Sequence, residues 1–259
     1  MKHQHCVIIG GTSGIGLALA RWHLSQGWQV TVVGSSAAKI TGLQQSIISD
    51  SFNILSCDLQ NTNERMTLFT ELKKHHIDRL IYSAGYYYNE RRQKLNKTES
   101  AKVLAINLQA FCDVFYDISE QLKAQHGKSQ MIALASVVGL LDFKDSSLYA
   151  KCKRAMIATC QAYRMALSPF DIDVICIASG YVDTLRLREL NHGTTHNKPF
   201  VISEEQAVCE ILHAIDNNIA LYIFPKSMKY TTWALSLLPK SLLNSVMKLQ
   251  YRHQDKHKA

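Results

Sequence analysis

Tyr149 and Lys153 are four residues apart in a segment with the apolar periodicity of a helix, so their side chains are predicted to share one face of it. A free tyrosine has a pKa of about 10, and a neighbouring ammonium group stabilises its anion and lowers that pKa. Such a pair can exchange a proton with an oxygen atom. The same spacing also arises by chance, when an aromatic ring packs beside an exposed lysine, so other residues must decide between the two interpretations.

Ser136 supports the chemical interpretation. It directly follows a short apolar run, Met131–Ala135, and lies thirteen residues before Tyr149. The run is predicted to be a buried strand, and ligands of parallel sheets bind beyond the carboxyl ends of the strands. The hydroxyl of Ser136 is therefore expected where it can hold a substrate oxygen. Together the three side chains favour the interconversion of a carbonyl and an alcohol.

A glycine-rich turn joins the first predicted strand to the first predicted helix. Cys6–Ile9 leads into Gly10, Gly14 and Gly16, and the helical pattern of Ile15–Gln26 follows at once. Glycines let the backbone approach phosphate oxygens, and a helix N-terminus offers free N–H groups and a positive dipole. A tight connection without a ligand is the alternative. The position at the start of a long alternation of strands and helices favours a dinucleotide cofactor.

Seven apolar runs alternate with longer amphipathic stretches. The predicted strands are Cys6–Ile9, Gln29–Val33, Asn53–Cys57, Arg79–Tyr82, Met131–Ala135, Val174–Ile177 and Leu221–Phe224. The predicted helices are Ile15–Gln26, Glu64–Lys74, Ala101–Leu122, Tyr149–Leu167 and Glu204–Asn217. This order predicts an α/β fold, a doubly wound Rossmann-type parallel seven-stranded sheet with helices on both faces. We predict a single domain over residues 1–225, with a C-terminal basic amphipathic extension over residues 226–259.

The composition narrows the class of protein. The chain has 259 residues, 47% of them hydrophobic, which is enough for a large core. Its seven cysteines are scattered and form no Cys-x-x-Cys pair, which predicts reduced thiols, a cytoplasmic protein and no metal site. No apolar run is long enough to span a bilayer or to form a signal-peptide core. The formal charge is +8, and the segment from Lys226 onward carries +6 of it, from seven Lys/Arg and one Asp. This concentration disfavours a nucleic-acid-binding groove.

The glycine turn and the catalytic spacing resemble those of the short-chain dehydrogenase/reductase family, and the resemblance extends to about Pro225. It implies the catalytic residues Asn107, Ser136, Tyr149 and Lys153, with Asn107 supporting a water-linked proton relay. It also implies that Asp58 contacts an adenine ring. The cofactor is expected to contact Gly10, Thr12, Ser13, Gly14, Ile15, Gly16, Ser35, Ser36, Asp58, Leu59, Ser83, Ala84, Gly85, Tyr149, Lys153, Gly180, Val182 and Thr184.

By this resemblance the chain is an oxidoreductase that transfers a hydride between a nicotinamide cofactor and a small carbonyl or alcohol substrate. Ser136 would hold the carbonyl oxygen and Tyr149 would donate the proton. Lys153 would lower the pKa of Tyr149 and bind the nicotinamide ribose. A nicotinamide-binding sensor or regulator without turnover is the alternative, but proteins of that kind can lose the serine, tyrosine or lysine, and this chain retains all three.

Four positions depart from the family pattern without removing a group that does chemistry. Ile9 stands where Thr or Ser is usual, Ser83 where Asn is, Ala135 where Ser is frequent, and Ser179 where Pro is. The changes at Ser83 and Ser179 are expected to alter how closely the cofactor loops are held.

The residues after the second strand bear on the choice of cofactor. An NAD site commonly has an Asp or Glu there, bonded to the ribose 2′-hydroxyl. Here Gly34 leaves room, and Ser35, Ser36 and Lys39 can bond a 2′-phosphate, although the family's usual arginine is absent. Serines that only form a turn and cap the next helix are the alternative. NADP(H) is therefore favoured over NAD(H), and reduction is the expected direction.

Two polar loops, Leu185–Ile202 and Tyr86–Leu95, are expected to set the substrate. Their basic and polar residues predict either a basic mouth for acidic compounds or a solvated lid; these residues are Arg91, Arg92, Arg186, Arg188, Asn191, His192 and His196.

The segment Lys226–Leu249 is predicted to form two amphipathic helices divided by Pro239. They can cover the protein's own surface, which we rank first, pack on a sister subunit, or rest weakly on an anionic membrane surface. The family resemblance further implies a homodimer or homotetramer that pairs through the helices Ala101–Leu122 and Tyr149–Leu167.

Overall fold

The structure, a computed structural model, describes residues 4–90, 94–125, 127–191, 193–195 and 198–256, with side chains up to residue 249 in the last helix. Arg91, Arg92, His192 and His196 of the predicted substrate loops lie outside these residues.

Seven parallel strands form one sheet in the described part of the chain. They are β1 (His5–Ile9), β2 (Gln29–Gly34), β3 (Phe52–Ser56), β4 (Arg79–Tyr82), β5 (Ser129–Ser136), β6 (Ile172–Ser179) and β7 (Leu221–Phe224). Their order in the sheet is β3-β2-β1-β4-β5-β6-β7. The predicted fold is confirmed. Because the order reverses between β1 and β4, the connections after these two strands diverge and leave a crevice at the carboxyl edge of the sheet.

Ten α-helices connect and cover the strands in the same described ranges. They are α1 (Gly14–Ser25), α2 (Ala37–Ser46), α3 (Thr62–Leu72), α4 (Lys97–Leu104), α5 (Ala110–Lys123), α6 (Leu148–Leu167), α7 (Leu185–Leu190), α8 (Glu204–Asp216), α9 (Lys226–Ser236) and α10 (Lys240–Lys256). The C-terminal pair, α9 and α10, lies on either side of Pro239 as predicted.

The single long helix predicted over Ala101–Leu122 is wrong. The helical segment starts earlier, at Lys97, and a π-helical turn at Ala105–Gln109 separates α4 from α5. The buried side chain of Tyr82 donates a hydrogen bond to the carbonyl of Ile106, with an O···O distance of 2.6 Å. A side chain that bonds a helix carbonyl in this way disturbs the regular ladder, and π turns often mark functional sites.

Two apolar cores enclose the sheet because successive residues of each strand point to opposite faces. On one face Val7 and Ile9 pack with side chains of α3, α5 and α6. On the other face Cys6 and Ile8 pack with α1 and α8. Burial on both faces explains why the strands are almost continuously apolar in sequence.

The C-terminal helices are attached to the carboxyl edge of the sheet. Met228 of α9 lies close to Gly180, since a Cβ atom built on that glycine would be 3.2 Å from Met228 Cγ. Leu243 of α10 is buried, and the side chain of Asn244 accepts a hydrogen bond from Lys144 N. Among the described residues, no helix is long and apolar enough to cross a membrane.

Candidate active site

The glycine turn after β1 is shaped by close contacts that only glycine permits. Gly10 has a φ of 83°, and a Cβ atom there would lie 2.5 Å from Ala84 N. A Cβ atom on Gly16 would lie 2.4 Å from the carbonyl oxygen of Gly10. The turn is thus folded tightly against the end of β4, and it brings Ala84 next to the start of α1.

The N-terminus of α1 retains groups that can bind an anion. Ser13 is the N-cap residue, yet its side chain makes no capping hydrogen bond to the helix. Its hydroxyl instead accepts a hydrogen bond from Lys39 Nζ at 3.2 Å. Helix N–H groups, a hydroxyl and an ammonium group therefore lie together, which is the donor set that binds phosphate oxygens.

The carboxyl end of β2 carries the residues predicted to select the cofactor. A Cβ atom on Gly34 would lie 2.5 Å from Thr12 Oγ1, so Thr12 covers this glycine. Ser35 is exposed, and Ser36 caps α2 by accepting a hydrogen bond from Lys39 N at 3.4 Å. Ser36 therefore caps the next helix, as the alternative interpretation of these serines predicts. A hydroxyl that accepts a hydrogen bond can still donate its own proton.

Asp58 and Leu59 follow β3 at the same edge of the sheet. The carboxylate of Asp58 accepts a hydrogen bond from Gln60 N at 3.0 Å, and its own N–H donates to Glu64 at 2.7 Å. Leu59 is buried, and its carbonyl oxygen is 2.6 Å from a guanidinium nitrogen of Arg65. These hydrogen bonds hold both residues in position, on the same side of the crevice as the glycine turn.

Asn107 lies in the π-helical turn and is completely buried. Its Nδ2 donates to the carbonyls of Tyr86 at 2.7 Å and Val103 at 2.9 Å, while its Oδ1 accepts from Tyr86 N at 3.2 Å. The side chain therefore holds the main chain directly after Ser83, Ala84 and Gly85. Oδ1 keeps the capacity to accept a second hydrogen bond.

Lys153 reaches the same place from α6. It is 2% exposed, and its Nζ donates to the carbonyl of Leu134 at 2.8 Å. A Cβ atom on Gly85 would be 3.4 Å from Asn107 Oδ1 and 3.7 Å from Lys153 Nζ, so both side chains approach Gly85 closely. Burial lowers the pKa of Lys153 to about 8.

Ser136 and Tyr149 line one cavity of about 410 Å³ at the carboxyl ends of β5 and β6. Predicted cofactor residues line it too: Ile15, Gly180, Val182 and Thr184. The structure therefore brings these six residues together at one cavity. Ser35, Ser36, Asp58 and Leu59 lie at the other end of the crevice, after β2 and β3.

The expectation that Lys153 lowers the pKa of Tyr149 is wrong for this arrangement. Burial of the hydroxyl raises the pKa of Tyr149 above its usual range, and the neighbouring Tyr87 raises it further. Only the interaction with Ser136 acts in the opposite direction. Lys153 Nζ is directed at Leu134 O and lies 5.7 Å from the centre of the Tyr149 ring, and it is not among the groups that shift this pKa.

Comparison with known proteins identifies the family. A sequence model of the short-chain dehydrogenases matches residues 4–195, which is most of the chain and includes the glycine turn, Asn107, Ser136, Tyr149 and Lys153. This chain belongs to the short-chain dehydrogenase/reductase family.

Curated relatives within the short-chain dehydrogenase/reductase family are distant. The chain is 29% identical over 178 residues to a probable short-chain type dehydrogenase/reductase, VdlC, from Helicobacter pylori; the match covers 68% of this chain and 64%, just under two thirds, of that protein. It is 26% identical over 192 residues to the 3-oxoacyl-(acyl-carrier-protein) reductase FabG of Rickettsia bellii, covering 74% of this chain and 78% of the relative.

Solved structures of short-chain dehydrogenases share the fold. One from Burkholderia cenocepacia in complex with NADP has a TM-score of 0.77 at 17% identity, covering 93% of this chain and 96% of that one. One from Sphingobium yanoikuyae in complex with NADPH has a TM-score of 0.76 at 19% identity, covering 91% of this chain and 96% of that one.

Sequence reasoning missed the residues that start α6 and thereby orient Tyr149. The side chain of Ser147 caps this helix by accepting from Ala150 N, and the carboxylate of Glu90 accepts from Leu148 N at 2.7 Å. The ring of Tyr87 meets that of Tyr149 edge-on, with centroids 5.2 Å apart. A serine two residues before the tyrosine was a usable sign of an N-cap. No sequence pattern indicated the contacts of Glu90 and Tyr87 with this helix, because both residues lie in a loop that is distant in the chain.

The loop after β6 is held by its own ion pair. Asp183 accepts two hydrogen bonds from Arg188, each of 2.8 Å, and a third from Thr195 Oγ1 at 3.1 Å. Arg188 is therefore committed to shaping the loop. Arg186 does line the cavity, with Lys198, although Arg186 also pairs with Glu189 at 3.3 Å. Among the described residues, the basic mouth predicted for this short-chain dehydrogenase thus consists of Arg186 and Lys198.

Proposed function

We propose that this oxidoreductase uses NADP(H) to reduce a ketone or aldehyde to an alcohol, with Tyr149 as the proton donor. One observation carries the proposal: Ser136 and Tyr149 line the same cavity as the predicted cofactor residues Gly180, Val182 and Thr184. A carbonyl group held in this cavity would therefore lie between a pair of hydroxyl donors and the place expected for the nicotinamide.

The cofactor would supply the hydride, and the protein's residues would supply orientation and the proton. Ser136 would donate a hydrogen bond to the carbonyl oxygen, and Tyr149 would release its proton to the same atom. Because burial raises the pKa of Tyr149, its hydroxyl is protonated at neutral pH, as a proton donor must be.

Lys153 and Asn107 are proposed to restore the proton. Lys153 has a pKa lowered to about 8, so its ammonium group holds a proton at neutral pH but releases it more readily than an exposed lysine does. Nζ lies beside Gly85, across from Asn107 Oδ1. Lys153 Nζ would pass its proton towards Tyr149 through a bridging water or a ribose hydroxyl, and Asn107 Oδ1 would accept a hydrogen bond from that water.

The donor set at the start of α1 supports NADP(H). Lys39 and the hydroxyl of Ser13 lie together, Ser35 is exposed nearby, and no acidic residue follows β2. An acid there would repel a 2′-phosphate, whereas these donors attract it. The solved relatives from Burkholderia cenocepacia and Sphingobium yanoikuyae are in complex with NADP and NADPH, which is consistent with this preference.

Replacing Tyr149 tests the proposal directly. Tyr149→Phe should lower turnover by about 10²- to 10⁴-fold, as expected for loss of a general acid, while NADPH binding measured by fluorescence stays within error of the wild type. Tyr163→Phe, on the same helix but packed against Phe115, is the matched control and should retain activity. Turnover is followed by the absorbance of the reduced nicotinamide over a panel of ketones and aldehydes.

Two results would count against this function. If Tyr149→Phe retained most of its activity, another group would be the proton donor. If NADPH bound tightly but no compound in a broad panel was turned over, the protein would be a nicotinamide-binding sensor or regulator.

We also propose that the protein is a homodimer or homotetramer that pairs through α5 and α6. Tyr116 on α5 and Met165 on α6 are large side chains that are mostly exposed, which supports a contact surface on these helices. Light scattering of the purified protein measures the mass, and a monomer would contradict the proposal.

A further inference from the structure

The outer face of α9 carries an apolar patch. Tyr230, Trp233 and Leu237 follow one another at spacings of three and four residues, so they lie on one side of the helix. Their exposed fractions are 63%, 62% and 65%. Single exposed apolar residues are ordinary, but three large ones side by side mark a surface that contacts something apolar.

The patch is bordered by positive charge. Lys226 and Lys229 lie on the same side of α9, and Lys240 and Lys248 are exposed on α10. The sequence from residue 226 to residue 249 contains no Asp or Glu. One acid from elsewhere approaches it, since Asp142 pairs with Lys240 at 3.5 Å.

The inner face of the same helices is fixed to the rest of the protein. Met228 lines the active-site cavity, Thr232 is buried, and Leu243 of α10 is buried as well. A groove of about 450 Å³ is lined by Tyr230 and Trp233 together with Leu140 and Ile223. The patch is therefore presented on a helix that is anchored next to the cavity.

We propose that this outer face of α9 and α10 binds the anionic surface of a lipid bilayer. Tyrosine and tryptophan rings prefer the interface between lipid tails and water, and lysines beside them pair with anionic headgroups. Over their described residues, neither helix is long and apolar enough to cross the membrane, so the helices would lie in its plane.

A second copy of the chain fits this surface less well. In a two-fold dimer the same patch faces itself, so the lysines of one protomer would approach those of its partner. Like charges brought together across an interface oppose association. An anionic bilayer complements both the apolar centre of the patch and its basic border.

Sedimentation with vesicles tests the proposal. The full chain should bind vesicles of phosphatidylcholine containing phosphatidylglycerol, bind phosphatidylcholine vesicles much less, and be released by salt that screens the lysines. The double variant Trp233→Ser/Leu237→Ser should lower binding by about tenfold or more, because it removes most of the apolar contact. Met66→Ser, which removes an equally exposed apolar side chain from α3, is the matched control.

Lysine variants separate the charge from the apolar contribution. Lys226→Gln/Lys229→Gln should weaken binding by about fivefold for each lysine removed. Lys94→Gln/Lys97→Gln, which removes exposed lysines from elsewhere on the surface, should leave binding unchanged. The fluorescence of Trp233 should shift to the blue on vesicles, and Trp233→Phe should lose that shift while it still binds.

The proposal is overturned if the protein binds neither kind of vesicle, or binds both equally well. It is also overturned if Trp233→Ser/Leu237→Ser converts an oligomer into a monomer without affecting sedimentation with vesicles. The patch would then be the contact between copies of this chain.

Discussion

Two of the buried cations lie at opposite edges of the sheet, Lys153 near the carboxyl edge and Arg79 at the amino edge, and the protein holds them in different ways. Lys153 is 2% exposed and Arg79 is 7% exposed, and burial lowers the pKa of both. Lys153 Nζ donates one hydrogen bond to a carbonyl and contacts the sulfur of Met156 at 3.8 Å. Its remaining N–H capacity lies beside Gly85 and the proposed cofactor site.

Arg79, in contrast, is enclosed by partners. Its Nε and one terminal nitrogen donate to Gln130 Oε1 at 3.0 and 2.7 Å, and the other lies 2.8 Å from His23 Nε2. The guanidinium also stacks over the ring of Trp28, 4.6 Å from its centroid. A neighbouring buried histidine, His5, is likewise bonded through both ring nitrogens.

The difference separates structural from functional polar groups in this fold. At the amino edge the buried polar groups bond to one another and stabilise the sheet. At the carboxyl edge Lys153, Ser13 and Asn107 keep bonding capacity that the fold itself does not use. A group that is costly to bury and only partly bonded is a good candidate for binding a ligand.

The largest expected difference follows from removing the two cations. Lys153→Met should lower turnover by about 10²-fold or more, in the range for loss of a group that serves acid–base catalysis. Arg79→Met should leave turnover within a few-fold, but should lower the free energy of unfolding by roughly 3 kcal/mol because it leaves Gln130 and His23 without a donor. For both variants, steady-state kinetics measure turnover, and urea unfolding measures the free energy of unfolding.

The stability of Lys153→Met provides the control for folding. The pKa of Lys153 is about 8 in the folded protein against 10.5 ordinarily, so the unfolded chain binds the proton more tightly between these pH values. Wild-type stability should therefore rise with pH across that window, and burying the charge costs roughly 3 kcal/mol at neutral pH. The methionine variant should be at least as stable as the wild type at neutral pH. A marked loss of stability would make Lys153 a structural residue.

Two glycines with similar backbones give the next largest contrast. Gly10 and Gly27 have φ values of 83° and 78°. Gly10→Ala places a methyl group 2.5 Å from Ala84 N, so it should cost about 3 kcal/mol of stability or more and weaken NADPH binding. Gly27→Ala meets no heavy atom of the described residues within 4 Å. It should cost only about 1 kcal/mol of strain and leave binding intact.

Thermal unfolding and NADPH titration of the two alanine variants distinguish the steric contact with Ala84 from backbone strain alone. Equal losses of stability would show that backbone strain alone matters at both positions. Ala84 would then have no part in shaping the turn.

The strands and the glycine turn could be predicted because their patterns are local. Arg79–Tyr82 and Leu221–Phe224 were predicted with the bounds that the structure has. Helices α2 and α7 could not be delimited, since α2 has one buried residue, Leu43, and α7 has none. Without a buried face a helix has no apolar periodicity to recognise.

The parts of the site that escaped prediction depend on contacts between distant residues. The π-helical turn around Asn107 is held by Tyr82, which is 24 residues away from Ile106. The pKa of Tyr149 is raised by burial and by Tyr87, 62 residues before it in the chain. The residue types near Tyr149 suggested a lowered pKa, but burial raises it, and Lys153 is not among the groups that shift it.

A further contrast, at the amino edge, depends on pH. His23 Nδ1 lies 2.8 Å from Leu19 O, which can only accept, and its Nε2 faces Arg79, which can only donate. This arrangement requires the neutral ring, and burial lowers the pKa of His23 to about 4 from 6.5. As the pH falls below 6.5 the unfolded chain takes up the proton first, so stability should fall by roughly 3 kcal/mol by about pH 4.

Urea unfolding across this pH range measures the effect. His23→Gln keeps one donor and one acceptor without a titrating ring, so its stability should fall less steeply with acid. His213→Gln, at an exposed position of α8, is the matched control. If His23→Gln had the same pH dependence as the wild type, the acid sensitivity would come from other groups, of which His5 is the first candidate because burial lowers its pKa as well.

The smallest contrast concerns two serines at helix N-termini. Ser203 forms a complete capping box with Gln206, with bonds of 3.2 and 3.0 Å, so Ser203→Ala should lower the free energy of unfolding by about 1 kcal/mol without affecting NADPH binding. Ser13 makes no capping bond. Ser13→Ala should therefore leave stability nearly unchanged and weaken NADPH binding by about fivefold, as expected for one lost hydrogen bond. If Ser13→Ala were instead as destabilising as Ser203→Ala, the hydroxyl would serve the helix, and unused bonding capacity would no longer distinguish the carboxyl edge.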